Sequence, residues 1–268
     1  MILTCSFLCA TIYNGKNGLA EFSEMRYLFM NIIVCKNYEE MSQHGAQMVA
    51  SLVKEKPNCV LGLATGSTPE GMYASLVEMC KKGEISFKNV TSVNLDEYYP
   101  IDPANDQSYR YFMNRQLFDH VDIDKANTNV PDGTAQDPVA ECKRYEQLVT
   151  DLGGIDLQIL GIGRNGHIGF NEPDSKLMLD THVTDLTENT IEANARFFAS
   201  ANDVPRRALT MGIGTIFKAK KIIVLASGVS KKDAVSAMLE RTVDTSFPAT
   251  MLNLHPDVTL ICTADVLD

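Results

Sequence analysis

The sequence lacks the features that mark several large classes of protein. No apolar run reaches the ~18 residues that a membrane-spanning helix needs, so we predict no membrane partner. The seven cysteines form no C-x-x-C pair, which argues against a disulfide framework or a zinc site and indicates thiols in a reducing compartment. Lys and Arg number 24 against 34 Asp and Glu, and the formal net charge of −10 argues against nucleic acid as a partner.

Residues 1–29 fit poorly with the rest of the chain. Their first cation is Lys16, and polar residues interrupt their apolar stretch, so the pattern of a signal peptide is incomplete. Met30 then opens a short strand pattern that looks like a natural start. We predict that residues 1–29 are a non-functional, poorly ordered extension, with a cleaved export signal as the alternative, and that residues 30–268 form the functional domain of a cytoplasmic protein.

From residue 30 onward, apolar runs of strand length alternate with helical patterns. A chain of 268 residues suits one large domain or two small ones, and the absence of linker-like stretches favours one. Continuous apolar strands separated by helices predict a single Rossmann-like α/β domain, whose mostly parallel sheet carries helices on both faces. Strands are predicted at 31–35, 59–64, 90–95, 157–161, 183–186, 221–226 and 258–262, and helices at 38–54, 69–82, 108–118, 139–152 and 231–239.

Ligands of such sheets bind beyond the carboxyl ends of the strands, near the point where the strand order reverses. The segment after the second strand reads Thr-Gly-Ser-Thr-Pro-Glu-Gly, from Thr65 to Gly71. Gly66 permits a sharp turn, and Thr68 is predicted to cap a helix that begins at Pro69. Free N–H groups and a helix start predict an anion site here, although an ordinary capped turn is the alternative. The Walker A lysine is absent.

Two acids, Asp96 and Glu97, directly follow the third strand. A carboxylate held at a strand end can move protons on a carbon next to a carbonyl. A helix cap or a solvated loop acid is the alternative. Asp96 is the better candidate because it comes first after the strand.

The segment Gly161–Pro173 is rich in glycine and contains a histidine. His167 suits proton transfer because the unperturbed imidazole titrates near neutral pH. Glu172 follows five residues later and is a candidate to orient it, and Asn165 is a candidate to hydrogen-bond the imidazole or a sugar hydroxyl. A metal ion is not expected, because further ligands at useful spacing are missing. A serine hydrolase is disfavoured because no G-x-S-x-G pattern occurs.

Together and in this order, Leu61–Pro69, Val93–Tyr98 and Gly161–Pro173 resemble the glucosamine-6-phosphate deaminase family over most of the chain. The resemblance implies conversion of glucosamine 6-phosphate and water to fructose 6-phosphate and ammonia in amino-sugar catabolism, without a metal or organic cofactor. Matching catalytic positions are Asp96, Asn165, His167 and Glu172, and matching phosphate ligands are Gly66, Ser67, Thr68, Arg196 and Lys231.

Two departures from the family pattern change these expectations. Many members carry an aspartate where this chain has Asn165, so this residue is expected to orient the imidazole without charging it. Members activated by N-acetylglucosamine 6-phosphate carry basic residues in a segment where this chain has His182 and Thr184. We therefore expect weak or no activation by that compound, and either a monomer or a homo-oligomer.

Two other functions compete with the deaminase. A 6-phosphogluconolactonase would need no proton transfer at C2 of its substrate. A regulator that senses sugar phosphates would need no catalytic acid at all. Asp96, His167 and Glu172 argue against the regulator, as do the acidic charge and the lack of a DNA-binding module.

Overall fold

The computed structural model describes residues 30–195, 198, 200 and 203–267. The predicted extension at residues 1–29 lies outside this part of the chain, and so does Arg196. What the sequence predicts for both of them stays a prediction.

Strands and helices alternate along most of the described chain. The strands are β1 (Asn31–Cys35), β2 (Val60–Leu63), β3 (Thr91–Asn94), β4 (Asp96–Tyr99), β5 (Thr128–Asn129), β6 (Leu157–Gly161), β7 (His182–Asp185), β8 (Arg207–Thr210), β9 (Lys221–Ala226) and β10 (Val258–Thr263). The helices are α1 (Tyr38–Glu55), α2 (Glu70–Lys81), α3 (Tyr109–Met113), α4 (Pro138–Asp151), α5 (Glu188–Asn194), α6 (Ile213–Phe217) and α7 (Lys232–Leu239).

Within the described residues, seven strands form one sheet in the order β1-β10-β9-β6-β2-β3-β5, and every neighbouring pair is parallel. The chain runs outward from β2 through β3 to β5, and then returns to place β6 on the other side of β2. The strand order therefore reverses between β2 and β6. This is the topological switch point at which open α/β sheets bind ligands.

A second sheet lies beside the carboxyl end of β3. It contains β4, β8 and β7 in that order, and both of its strand pairs are antiparallel. Leu95 is the junction, since its N–H donates to Leu63 of the main sheet and its carbonyl accepts from Met211, which follows β8. The residue after the junction, Asp96, is thereby fixed where the two sheets meet.

Burial shows how the main sheet is covered. All six residues of β10 and all four residues of β2 are buried. Successive side chains of a strand point to opposite faces, so these strands are covered on both faces. Within the described chain, no helix is long and apolar enough to cross a bilayer.

The predicted fold class, an α/β domain with a mostly parallel sheet, is confirmed. The elements differ from prediction at several places. The segment 108–118 begins as the α-helix α3 but continues as a π-helical turn at Asn114–Phe118. The sequence pattern does not predict β4, β5, β8, α5 or α6, because these elements are short and β4 opens with two acids where an apolar pattern is missing.

We predict that Gly62 and Gln158 are matched in size across the pair β2–β6. A Cβ atom added at Gly62 would lie 2.1 Å from Oε1 of Gln158, which is fully buried. Gly62→Ala should therefore lower the free energy of unfolding by about 1–3 kcal/mol through overpacking, as measured by urea denaturation.

The Gln158→Ala variant provides the matched background for this prediction. In the double variant, the added methyl group occupies space that the glutamine vacates. The double variant should therefore lose less free energy of unfolding than the sum of the losses in the two single variants. Strictly additive losses would contradict the proposed size match.

Candidate active site

A cavity of about 380 Å³ lies beyond the carboxyl ends of β2, β3, β6 and β9. It is lined by residues 64–68, 95–96, 161–164, 167 and 169–170, together with Ser227, Ser230 and Lys231 after β9. Every one of these segments leaves the sheet at the same edge because the strands are parallel. The cavity therefore lies at the switch point, and it contains the predicted Gly66, Ser67, Thr68, Asp96, His167 and Lys231.

The turn after β2 exposes backbone donors. Gly66 adopts a φ of 88°, a left-handed conformation that favours glycine. Among the described residues, none accepts a hydrogen bond from the N–H groups of Gly66, Ser67 or Thr68. The prediction that Thr68 caps α2 is wrong, because the helix begins at Glu70 and Pro69 stands at the cap without a side-chain hydrogen bond. Pro69 has no backbone N–H to offer to an anion. The open donors before α2 are therefore those of the turn at residues 66–68.

Asp96 opens β4 and pairs with Thr210 of β8. Asp96 is only 6% exposed, and it lines the cavity. Burial, and secondly the neighbouring Glu97 carboxylate, raise the pKa of Asp96 to about 8. An acid with a raised pKa becomes a stronger base once it loses its proton, as proton transfer from carbon requires.

Glu97 takes a different environment from its neighbour because adjacent side chains of a strand face opposite sides. Its carboxylate accepts hydrogen bonds from the N–H groups of Tyr98, Tyr109 and Arg110 at 2.8–2.9 Å. Burial raises the pKa of Glu97 to about 7 in spite of these donors. The contact holds β4 against the start of α3, and Tyr109 forms part of the cavity wall.

The loop after β6 brings His167 to the cavity that Asp96 also lines. Gly169 adopts a φ of 56°, and a Cβ atom there would lie 3.5 Å from Oδ2 of Asp96. The N–H of Phe170 donates to Oγ1 of Thr210 at 3.1 Å, and the Asn171 amide donates to the carbonyl of Met211 at 2.8 Å. Because Thr210 also pairs with Asp96, one strand positions both the acid and the histidine loop.

Glu172 stands behind the imidazole, away from the cavity lining. Its Oε2 lies 3.4 Å from Nδ1 of His167, a buried nitrogen without a hydrogen-bond partner among the described residues. Asn165 donates from Nδ2 to the same Glu172 oxygen at 2.8 Å, and its Oδ1 accepts from the backbone N–H of His167 at 3.3 Å. Asn165 therefore contacts the glutamate and the loop backbone, whereas the imidazole or a sugar hydroxyl was expected as its partner.

The environment of Glu172 favours its ionised form. Burial by itself would raise its pKa, but His167 and the donors of Thr190 and Asn165 outweigh burial and lower the pKa to about 2. The site thus combines raised pKa values at Asp96 and its neighbour Glu97 with a lowered pKa at Glu172. Opposite shifts in neighbouring acids are typical of sites that divide acid–base roles between them.

Four cavity residues lie outside the segments that the sequence singled out as candidate sites. Ser227 and Ser230 follow β9, so the rule that ligands bind beyond strand ends was sufficient to find them. Tyr109 and Thr190 carry no such signal, because α3 and α5 reach the cavity only through tertiary packing. Among the described residues, no group of three or more His, Cys, Asp or Glu is placed to hold a metal ion.

A parallel α/β sheet with a turn of open N–H donors, a buried acid and a histidine at its switch point is typical of enzymes that act on small anionic substrates. The chain belongs to the family of glucosamine-6-phosphate isomerases and 6-phosphogluconolactonases, whose model matches residues 36–261.

Relatives within this family are close in sequence. The chain is 57% identical over 236 residues to a glucosamine-6-phosphate deaminase of Clostridium perfringens, covering 88% of this chain and 98% of the relative. It is 56% identical over 232 residues to the corresponding protein of Thermoanaerobacter pseudethanolicus, covering 87% and 92% of the two chains.

The chain is also similar in fold to solved structures of this family. A monomeric glucosamine-6-phosphate deaminase superposes with a TM-score of 0.87 at 49% identity, covering 88% of this chain and 98% of its own. A 6-phosphogluconolactonase from Trypanosoma brucei superposes with a TM-score of 0.72 at 20% identity, covering 89% and 98%. The second similarity shows a shared fold alone.

We predict that Glu172 stabilises the protein in a pH-dependent manner. Its lowered pKa means that the stabilisation is present above pH 4.5, the ordinary value, and is lost as the pH falls toward 2. Glu172→Gln should lower the free energy of unfolding by about 1–3 kcal/mol at pH 7, and the difference from wild type should narrow below pH 4.5.

Denaturant titrations between pH 7 and pH 3 measure this difference. Glu78→Gln is the matched control, because the Glu78 side chain is 59% exposed and its variant should follow wild type across the range. If the free energy of unfolding of Glu172→Gln stays below that of wild type by the same amount at all pH values, the carboxylate is not the source of the stabilisation.

Proposed function

We propose that this chain is a glucosamine-6-phosphate deaminase, which converts glucosamine 6-phosphate and water to fructose 6-phosphate and ammonia. The observation that carries the proposal is the buried Asp96, with its raised pKa, in one cavity with His167 and the donor turn at residues 66–68. The relatives at 54–57% identity are named for this reaction, which supports the same reaction here.

In this mechanism the phosphate binds at one end of the cavity. The N–H groups of Gly66, Ser67 and Thr68 would hold it, together with the ammonium of Lys231, which lines the cavity after β9. Arg196 is proposed as a further phosphate ligand on the family resemblance alone. Binding the phosphate fixes the distance between the sugar carbons and Asp96, and such positioning accelerates proton transfer.

His167 is proposed to open the pyranose ring by moving a proton from the C1 hydroxyl to the ring oxygen. Glu172, kept ionised, would orient the imidazole and stabilise any positive charge that develops on it. Asn165 would act indirectly by holding Glu172 and the loop backbone.

Asp96 is proposed to act on the open chain. It removes the proton from C2, which the C1 aldehyde makes acidic, and the electron pair passes into an enolamine. Protonation at C1 then gives the imine of fructose 6-phosphate, and water adds to C2 as ammonia leaves. The substrate ammonium beside Asp96 would lower its pKa from the value of the free protein, which favours the ionised base.

We further propose that the protein acts in the cytoplasm as part of amino-sugar catabolism. The described cysteines, Cys35, Cys59, Cys80, Cys142 and Cys262, are free thiols, which supports a reducing compartment. The solved relative is described as monomeric, which supports a monomer as the working assembly.

Release of ammonia tests the proposed function directly. Purified protein supplied with glucosamine 6-phosphate should produce ammonia and fructose 6-phosphate in equal amounts. In heavy water, deuterium should enter C1 of the fructose 6-phosphate, because the C2 proton exchanges on its way to C1.

The same preparation should be supplied with 6-phosphogluconolactone. Hydrolysis of the lactone without ammonia release from the amino sugar would replace the proposal by the lactonase function. Binding of sugar phosphates without either reaction would indicate the regulator.

We predict that Asp96→Asn abolishes the base while it preserves the shape of the site. The value of kcat should fall by about 10²–10⁴-fold, the range attributed to a positioned general base, while fructose 6-phosphate still binds. Steady-state kinetics and calorimetric titration measure the two properties.

Asp185→Asn is the matched control, since Asp185 lies exposed at the end of β7 in the same small sheet. It should keep wild-type kcat and KM. Wild-type turnover in the Asp96→Asn variant would remove Asp96 from the mechanism.

A further inference from the structure

Tyr38, the first residue of α1, bridges two backbone groups near the donor turn. Its hydroxyl donates a hydrogen bond to the carbonyl of Ser67 at 2.9 Å and accepts one from the N–H of Gly71 at 2.8 Å. The hydroxyl thus bridges the backbone of residues 67 and 71. The segment between them contains the end of the turn and the start of α2. Neither contact is assigned a role by the mechanism above.

The close approach of Tyr38 depends on a glycine at position 71. A Cβ atom at Gly71 would lie 2.9 Å from Cε1 of Tyr38 and 2.5 Å from Oγ of Ser42. Gly71 lies in helical backbone, where its φ is not positive, so space rather than conformation requires the glycine. Tyr38 and Gly71 therefore fit each other across α1 and α2.

The bond to Ser67 fixes the direction of the next donor. A trans peptide unit is planar, so the Ser67 carbonyl and the Thr68 N–H belong to one plane and point in opposite directions. Because Tyr38 holds the carbonyl on its own side, the Thr68 N–H points away from Tyr38. Thr68 lines the cavity, whereas Tyr38 is not among the lining residues.

The second bond decides which amides are open to an anion. The N–H of Gly71, in the first turn of α2, is already used by the Tyr38 hydroxyl. The N–H groups of Gly66, Ser67 and Thr68 have no acceptor among the described residues. The phosphate therefore meets donors of the turn, and the Gly71 amide serves to anchor the tyrosine.

We propose that Tyr38 is a positioning residue for the phosphate end of the substrate. It orients the peptide between Ser67 and Thr68, so that the turn presents its donors before the substrate arrives. This role rests on the proposed function, since it assumes a phosphorylated substrate at the turn. Tyr38 touches no reacting atom, so its effect belongs to binding rather than to the chemical step.

Tyr38→Phe tests the proposal because it removes a single oxygen atom. The dissociation constant for inorganic phosphate should rise about two- to tenfold, the range expected for one net hydrogen bond, because of the two lost bonds only that to Ser67 orients a phosphate donor. KM for glucosamine 6-phosphate should rise by a similar factor, and kcat should stay within about twofold of wild type. Calorimetric titration with phosphate gives a readout that is independent of turnover.

Tyr99→Phe is the matched control, since it also loses one hydroxyl that bonds a backbone carbonyl, that of Ala135 at 3.0 Å. This variant should leave the dissociation constant for phosphate and KM for glucosamine 6-phosphate unchanged. Gly71→Ala, which would displace the Tyr38 ring, should weaken phosphate binding, and the double variant with Tyr38→Phe should lose less than the product of the single effects.

An unchanged dissociation constant for inorganic phosphate in Tyr38→Phe would overturn the proposal. A fall in kcat with an unchanged KM would also overturn it. Independent, multiplicative effects of the Tyr38 and Gly71 variants would also overturn it. If wild-type protein binds phosphate with the predicted Tyr38 dependence but releases no ammonia, the proposed function fails and the assignment of Tyr38 stands.

Discussion

The pairing of Asp96 with Thr210 is the contact on which the rest of the site depends. It lies inside the small antiparallel sheet, one residue after the junction Leu95, and it leaves the carboxyl group of Asp96 at the cavity wall. Thr210 also accepts the N–H of Phe170, so the loop that carries His167 is anchored to the same residue. A displacement of β8 would therefore move the acid and the histidine loop together.

Electrostatics then separates the buried carboxyl groups into two kinds. Asp96 borders the cavity, and burial beside a second carboxylate raises its pKa. Glu172, also buried, gathers donors from Thr190 and Asn165 and faces the imidazole, and its pKa is lowered. One carboxyl is thereby suited to exchange a proton and the other to remain an anion, and the difference comes from the imidazole and the donors around Glu172 rather than from residue type.

The asparagine at position 165 illustrates how a local pattern can suggest a partner that the fold then changes. Two residues from the histidine, it was expected to hydrogen-bond the imidazole or a sugar hydroxyl, but its amide group donates to Glu172. An amide can donate to a carboxylate, whereas a second carboxylate at that point would repel it. In this chain the asparagine is therefore compatible with a fully ionised Glu172.

The sequence by itself determined the parallel α/β sheet and the three chemistry-bearing segments, because apolar runs, glycine turns and their order along the chain are local signals. The agreement is close for β1, β6 and β9, whose bounds match their apolar runs. The cap of α2, the small sheet, and the contacts of Tyr38, Tyr109 and Thr190 were decided only by the tertiary structure. These contacts join groups far apart in the chain, and their distances and burial exist only once the sheet has brought its strand ends to one edge.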